Sequence, residues 1–196
     1  MGKVSVIKKS RKEYKCSKCG KVIPAGSTYY KGEINFGPTI VRCSNCKLES
    51  WEVTTSDYQL AAGEIVYRWK ENYGEAEDAI DNIISDLQNL SDDLEGRLDN
   101  MPEGLQEGDI GQLLQERIDT LESVISDLEC IDIDSMKDDI SSVFAEEHLT
   151  DEEREDEPSW DDIIVMKGDE AEKAMSEMLD EALTEDIDNA LAEIEV

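Results

Sequence analysis

The sequence predicts an α+β protein that is mostly α: a small β-rich module first, an antiparallel coiled-coil-like helical hairpin next, and a C-terminal amphipathic helix. Three observations carry that prediction. Two tight cysteine pairs, Cys16-Ser17-Lys18-Cys19 and Cys43-Ser44-Asn45-Cys46, stand near the start of the chain. Two apolar stripes at helical spacing follow, with a Pro- and Gly-containing turn between them. The charge also changes sign along the chain. Residues 1–56 carry eleven Lys and Arg against four acids, a balance of +7, so in a 196-residue chain of formal charge -30 the other 140 residues sum to -37.

The first module, residues 1–56, is organised by its cysteines. Two thiolates separated by two residues grip a tetrahedral ion from one side, and a second such pair closes the shell, which is the donor set of structural zinc. Cys16, Cys19, Cys43 and Cys46 are therefore the expected Zn²⁺ ligands, the pairs standing 23 residues apart. Four thiolates leave no open position where a water could be activated, so the ion is expected to staple a module too small to hold a core unaided. Gly20, directly after the first pair, suits a sharp turn with positive φ, and backbone N–H groups are expected to point at the sulfurs. Val4 to Cys16 reads as a strand or extended arm. Tyr29 to Ile34 and Thr39 to Arg42 read as two strands joined through Asn35-Phe36-Gly37-Pro38, a hairpin that delivers the second pair.

A helix is expected to start near Tyr58, after the cap-forming run Thr54-Thr55-Ser56-Asp57, with Leu60, Ala61, Ile65, Trp69 and Tyr73 on one face. It opens a second region, residues 57–145. Ile80, Ile84, Leu87, Leu90, Leu94, Leu98 and Met101 step by three or four, one stripe along a helix of about six turns. Pro102, Gly104 and Gly108 break the pattern, and Asp109 with Gln112 resembles a capping box that restarts it. Leu114, Ile118, Leu121, Ile125 and Leu128 then form a second stripe, so the two helices are expected to bury each other as a hairpin. Ile133 to Phe144 continues helical with less regularity. Residues 146–168 are expected to be an acidic linker, ten acids falling between Glu146 and Asp162. Residues 169–196 form the last amphipathic segment, with Ala171, Met175, Met178, Ala182, Leu183, Ile187, Leu191 and Ile194 as its apolar face; whether it docks on the hairpin or awaits a partner stays open at the level of sequence.

Composition narrows the function. Only 6% of the residues are aromatic and 35% are charged, which disfavours a large enzyme core. The single histidine, His148, lies in a charged stretch and is expected to face solvent, and neither a phosphate-cradling glycine loop nor a nucleophile elbow is present. Asp132-Ile133-Asp134 departs from a calcium loop at Met136 and Lys137. Cys130 is expected to be a small buried hydrophobe. An odd number of cysteines, four of them at metal spacing, suits a reducing compartment without disulfides, and no apolar run reaches the ~20 residues that span a bilayer. A soluble, intracellular protein, with no membrane partner, is the expectation.

Binding is the function class that remains. Lys8, Lys9, Arg11, Lys12 and Lys15 crowd the approach to the first cysteine pair, more cations than are needed to balance the charge of about -2 on a four-thiolate zinc site. They are the expected contacts to nucleic acid or to an acidic protein surface. The acidic helices offer a second surface, for a protein partner. Nine acids fall in residues 75–100, a helix of about 39 Å. Two such helices side by side come within about a factor of two of the charge density of a DNA duplex, so mimicry of nucleic acid, as in an inhibitor of host defence, is the alternative. Opposite charge at the two ends also allows self-association.

One stretch after another resembles a known group. Ser10-Arg11-Lys12-Glu13-Tyr14-Lys15-Cys16-Ser17-Lys18-Cys19-Gly20-Lys21, Ile23-Pro24-Ala25-Gly26, Arg42-Cys43-Ser44-Asn45-Cys46 and Asp99-Asn100-Met101-Pro102-Glu103-Gly104-Leu105-Gln106 together resemble uncharacterised bacteriophage-type proteins. These pair a four-cysteine treble-clef or ribbon-like zinc finger with an acidic helical hairpin whose turn carries Asn-Met-Pro-Glu-Gly-Leu-Gln. The resemblance covers roughly residues 10 to 135. It implies zinc at the four named cysteines and a viral origin, and no agreed activity.

Overall fold

The computed structural model describes residues 3–34, 37–72, 76–154 and 157–194, with residues 70–72 described by their backbone alone. Small strands occupy the N-terminal part and helices the rest, an α+β fold that is mostly α. The chain forms two compact units, divided within a helix between Tyr67 and Arg68.

The first unit holds five strands: β1 (Lys3–Ile7), β2 (Tyr14–Lys15), β3 (Val22–Ile23), β4 (Tyr29–Glu33) and β5 (Thr39–Cys43). β1, β4 and β5 form an antiparallel sheet in that order, with Ile7 opposite Tyr29 and Tyr29 opposite Cys43; β2 and β3 pair as a separate two-stranded ribbon. The two strands expected around the second cysteine pair are thus present, and the arm before the first pair supplies both β1 and β2. Asn35 and Phe36 of the expected hairpin loop lie outside the described residues. Cys16, Ile23 and Tyr29 are buried together, and Ile7, Tyr14, Val41, Cys43 and Cys46 pack against them. One buried cluster of this unit is therefore built on the cysteines themselves, while Leu48 and Val53 are buried elsewhere in it.

Helix α1 (Asp57–Asn72) starts where the cap signals place it, with the Ser56 hydroxyl accepting from Gln59 N–H at 3.3 Å. Its buried face is Tyr58, Ala62, Ile65 and Trp69, while the expected Leu60 is exposed and Ala61 half-buried. The face is rotated because the aromatic at position 58 turns inward. Tyr73 lies outside the described residues. A domain boundary at residue 56 is also displaced: Trp51 and Tyr67 approach with ring centroids 5.9 Å apart, which ties most of α1 to the first unit.

The second unit contains α2 (Ala76–Asp99), α3 (Glu103–Gln106), α4 (Asp109–Glu129), α5 (Ile133–His148), α6 (Asp151–Arg154), α7 (Trp160–Lys167) and α8 (Asp169–Leu191). α2 and α4 pack along each other as the predicted hairpin. All five expected residues of the second stripe are buried, joined by Val124. On α2 the buried set is wider than expected, with Ala76, Ala79, Ile83 and Ser91 buried and Ile84 and Leu98 only partly so. The cause is α8, which packs against α2 and α4 both, so α2 covers two neighbours and its apolar face widens accordingly.

The last amphipathic segment therefore docks on the hairpin. Ala171, Met175, Leu179, Leu183, Ile187 and Leu191 are buried at intervals of four, with Leu179 in the place expected of Met178. Two acids of α8 also bond within the unit: Asp180 accepts from Ala76 N–H at 2.9 Å, at the start of α2, and Asp188 accepts from the Trp69 indole N–H at 3.0 Å.

Three local expectations are corrected. The acidic stretch 146–168 is not a bare linker, because it holds α6 and α7; Ser159 and Asp162 form a capping box and Ile163 is fully buried. α4 is not started by an Asp109 capping box: Gly108 is the N-cap without a side-chain bond, and Gln112 donates to the Glu107 carbonyl instead. Cys130 is exposed, because it falls one residue beyond the α4 seam, at the C-cap. Asp132 is the N-cap of α5, accepting from Ser135 N–H at 3.0 Å.

Candidate metal centre

β2 leads into Cys16 and β5 ends on Cys43, so the strand pairing that buries Tyr29 also brings the two cysteine pairs together. Each pair is a tight turn. Gly20 N–H donates to the Cys16 carbonyl at 3.0 Å, and Cys46 N–H donates to the Cys43 carbonyl at 3.0 Å. The residue after each pair has positive φ, +71° at Gly20 and +27° at Lys47, so glycine suits the first turn as expected. Ser17 fastens the first turn to β5: its N–H and its hydroxyl both donate to the Val41 carbonyl, at 2.8 and 2.7 Å, two residues before Cys43.

The four Sγ atoms all lie within 4.8 Å of one another, and all four thiols are free of disulfides. Cys19 Sγ and Cys43 Sγ are 3.8 Å apart. A tetrahedral ion with metal–sulfur bonds of about 2.3 Å places its sulfurs about 3.8 Å apart, so the set is close to the size that one ion requires. The four cysteines could hold a metal ion, and among the described residues they are the one group of His, Cys, Asp and Glu side chains so gathered.

Electrostatics around the sulfurs support anionic ligands. Burial raises the Cys16 thiol, yet N–H donation from Cys19, Cys43 and Lys18 outweighs it and brings Cys16 down to about 6. The Cys43 N–H lies 3.4 Å from Cys16 Sγ. Cys43 is lowered too, burial being offset by the Cys46 thiol and by the N–H groups of Asn45 and Cys46. Cys46 is pushed up to about 12, chiefly by its contacts with the Cys43 and Cys19 sulfurs. Four clustered thiols therefore do not all ionise unaided, and a cation among them would relieve that repulsion.

Lys8, Lys9, Arg11, Lys12 and Lys15 are all exposed. Most of them sit on the loop between β1 and β2, which is held by buried Ser10: its N–H donates to Ser27 O at 2.9 Å, its carbonyl accepts from Gly26 N–H, and its hydroxyl donates to Pro24 O at 2.8 Å. No ion pair joins any of the five to an acid among the described residues. Tyr14 is already engaged, its ring 4.9 Å from that of Tyr29 and 5.4 Å from Lys12 Nζ. By contrast Lys31 pairs with Glu33, and Arg42 pairs with Glu52 at 2.7 Å while Glu52 also accepts from Glu49 N–H at 3.0 Å.

The serine anchors Ser10 and Ser17 and the Arg42–Glu52 clamp were not legible in the sequence. Their partners are 10 to 24 residues away and follow no spacing rule. His148 is exposed as expected, beside Phe144 with ring centroids 4.3 Å apart. No helix among the described residues is long and apolar enough to cross a membrane. Comparison of the chain with protein families, with curated proteins and with solved structures finds no match.

Proposed function

We propose that this is a non-enzymatic binding protein in which zinc, held by Cys16, Cys19, Cys43 and Cys46, rigidifies a basic module that engages the phosphates of nucleic acid. The observation that carries the reading is the stretch before Cys16, where four exposed cations stand on a loop fixed through Ser10 and a fifth, Lys15, on the adjoining β2. A zinc tetrathiolate carries a charge of about -2, which two or three cations offset. The remainder are free for a polyanion. Zinc is the ion that suits four sulfur donors in a closed shell, and such a shell organises structure rather than activating water. Engagement of Tyr14 by Tyr29 and Lys12 favours backbone contacts over base stacking, so binding is expected to be insensitive to base sequence.

The resemblance over residues 10 to 135 is what supports extending the proposal to a phage-type accessory factor acting in the cytoplasm of a bacterial host, with the acidic helical unit left to recruit a protein of host or phage. The mimicry alternative assigns the acidic hairpin to a basic cleft on a host enzyme. Docking of α8 along both hairpin helices turns the simple two-helix rod which that reading pictured into a broader bundle.

Titration of the zinc-loaded full chain into a labelled DNA duplex at several salt concentrations tests the proposal. Binding should weaken steeply with salt. Reversal of Lys8, Lys9, Arg11, Lys12 and Lys15 to Glu should abolish it, and single reversals should each flatten the logarithmic salt slope by about one unit. Binding that ignores salt, or that survives the fivefold reversal, overturns the reading. Failure to bind DNA combined with displacement of DNA from a basic host protein points to mimicry.

A further inference from the structure

A second surface lies at the turn of the hairpin, apart from the metal centre. Leu105 is 54% exposed, Ile110 63% and Leu113 44%, three large apolar side chains within nine residues of one another. They stand outside the hairpin seam, which α4 closes with Leu114, Ile118 and Leu121. Nothing in the packing of α2 on α4 requires them to be apolar, and burying each against a partner would be favourable in proportion to its exposed area.

The turn is rigid. Gln106 Nε2 donates to the carbonyls of Leu98 and Met101 at 3.0 and 2.9 Å, tying α3 back onto the end of α2. Gly111 allows α4 to pass so close that a Cβ there would lie 2.0 Å from the Gln106 carbonyl oxygen. A patch held this way needs little ordering when it binds, which lowers the entropic cost of association.

Charge selects the occupant. Between Arg97 and Arg117 the chain has five acids and no Lys or Arg. Glu103, Glu107 and Asp109 are exposed around the apolar trio. An anionic lipid surface and the acidic helical unit of a second copy both meet repulsion here. An apolar segment edged with cations meets attraction at its rim and burial at its centre. We infer that the hairpin turn is a docking site for a basic amphipathic helix of a partner protein, with Leu105, Ile110 and Leu113 as the apolar contacts and the surrounding carboxylates as the charged rim. The site is independent of the phosphate-binding role proposed for the N-terminal module.

The test uses the full zinc-loaded chain and a synthetic helical peptide of alternating Leu-face and Lys-face pattern, followed by fluorescence anisotropy. A variant carrying Leu105→Ser, Ile110→Ser and Leu113→Ser keeps every charge, and a control carrying Val143→Ser, Val165→Ser and Met166→Ser removes an equal number of exposed apolar side chains from α5 and α7. The inference expects the peptide to bind one per chain, the turn variant to lose about tenfold or more in affinity, and the control to stay within about twofold. Because all six positions are exposed, an unchanged thermal melt confirms that both variants are folded. Equal losses in the two variants, or none, mean that the peptide answers to net charge alone and overturn the inference. So does equally tight binding of a peptide with Glu in place of Lys, and so does a turn-dependent dimer seen by light scattering, which would assign the patch to a second copy.

Discussion

Arg42 shows how a single residue can tie the metal centre to the rest of its unit. It precedes Cys43 on β5, and its guanidinium meets Glu52 at 2.7 Å with both side chains about 15% exposed or less. Glu52 in turn accepts from Glu49 N–H, so the chain leaving the second cysteine pair is folded back onto β5. Arg42→Met strands a largely buried carboxylate with one donor left and should cost about 1–3 kcal/mol, read as a lower guanidinium midpoint of the zinc-loaded protein. Arg42→Met combined with Glu52→Leu should recover much of that loss. A double variant no better than the single one would show that the clamp matters for its geometry and not for its charge. At this scale the sequence is legible only where chemistry demands a fixed spacing. The four cysteines announce themselves because their spacing lets two thiolate pairs grip one ion, and Gly20 because the turn needs positive φ; Arg42, Ser10 and Ser17 are ordinary residue types whose partners are chosen by the fold.

Helices were legible where period alone decides. The stripes of α2, α4 and α8 place those elements to within about a turn, yet the choice of buried face slips wherever a third element intervenes, as on α2 beneath α8 and on α1 where Tyr58 turns inward. The acidic stretch after α5 was harder, because composition argued for solvation while caps and one buried isoleucine were enough to order two short helices. α6 and α7 are joined through Glu153, whose carboxylate accepts from Thr150 N–H and from Lys167 Nζ at 2.9 Å each. Those donors, the Thr150 N–H first and Lys167 next, lower Glu153 from 4.5 to about 2. A depressed carboxylate favours the folded form above its unfolded value. Its contribution is therefore complete above about pH 4.5 and disappears as the pH falls through about 2. A carboxyl NMR titration should find Glu153 half-protonated near pH 2, and Lys167→Met should move that midpoint up while leaving it below 4.5, since the Thr150 donors remain. A midpoint at 4.5 in the unaltered protein would remove the contact from solution.

Over the whole molecule, the two units hold themselves together by different means, and that difference is measurable. The first builds one of its buried clusters, Cys16, Ile23 and Tyr29, on a cysteine, with two more cysteines packed against it, and buries Leu48, Val53 and the inner face of α1 besides. The second buries apolar side chains along α2, α4, α5, α7 and α8 and needs no ion to do so. Metal binding is coupled to folding where the ligands are also the core, because without the ion four sulfurs of partly anionic character would sit within 4.8 Å of one another. A strong chelator should then unfold residues 3–56 while leaving the helical signal almost intact, since the first unit contributes strands and little helix apart from α1. The measurement is a pair of spectra on one sample: far-ultraviolet circular dichroism, expected to change little, and amide NMR, expected to lose the dispersed strand resonances and keep the helical ones. Re-addition of one equivalent of zinc should restore them. Loss of the α2 and α4 resonances on chelation would mean that the hairpin depends on the metal after all, and strand resonances that persist without metal would mean that Ile23, Tyr29 and their neighbours suffice as a core. Either result bears directly on binding, because the basic loop and Lys15 beside it can present five cations in fixed positions only while the strands on both sides of the loop are folded.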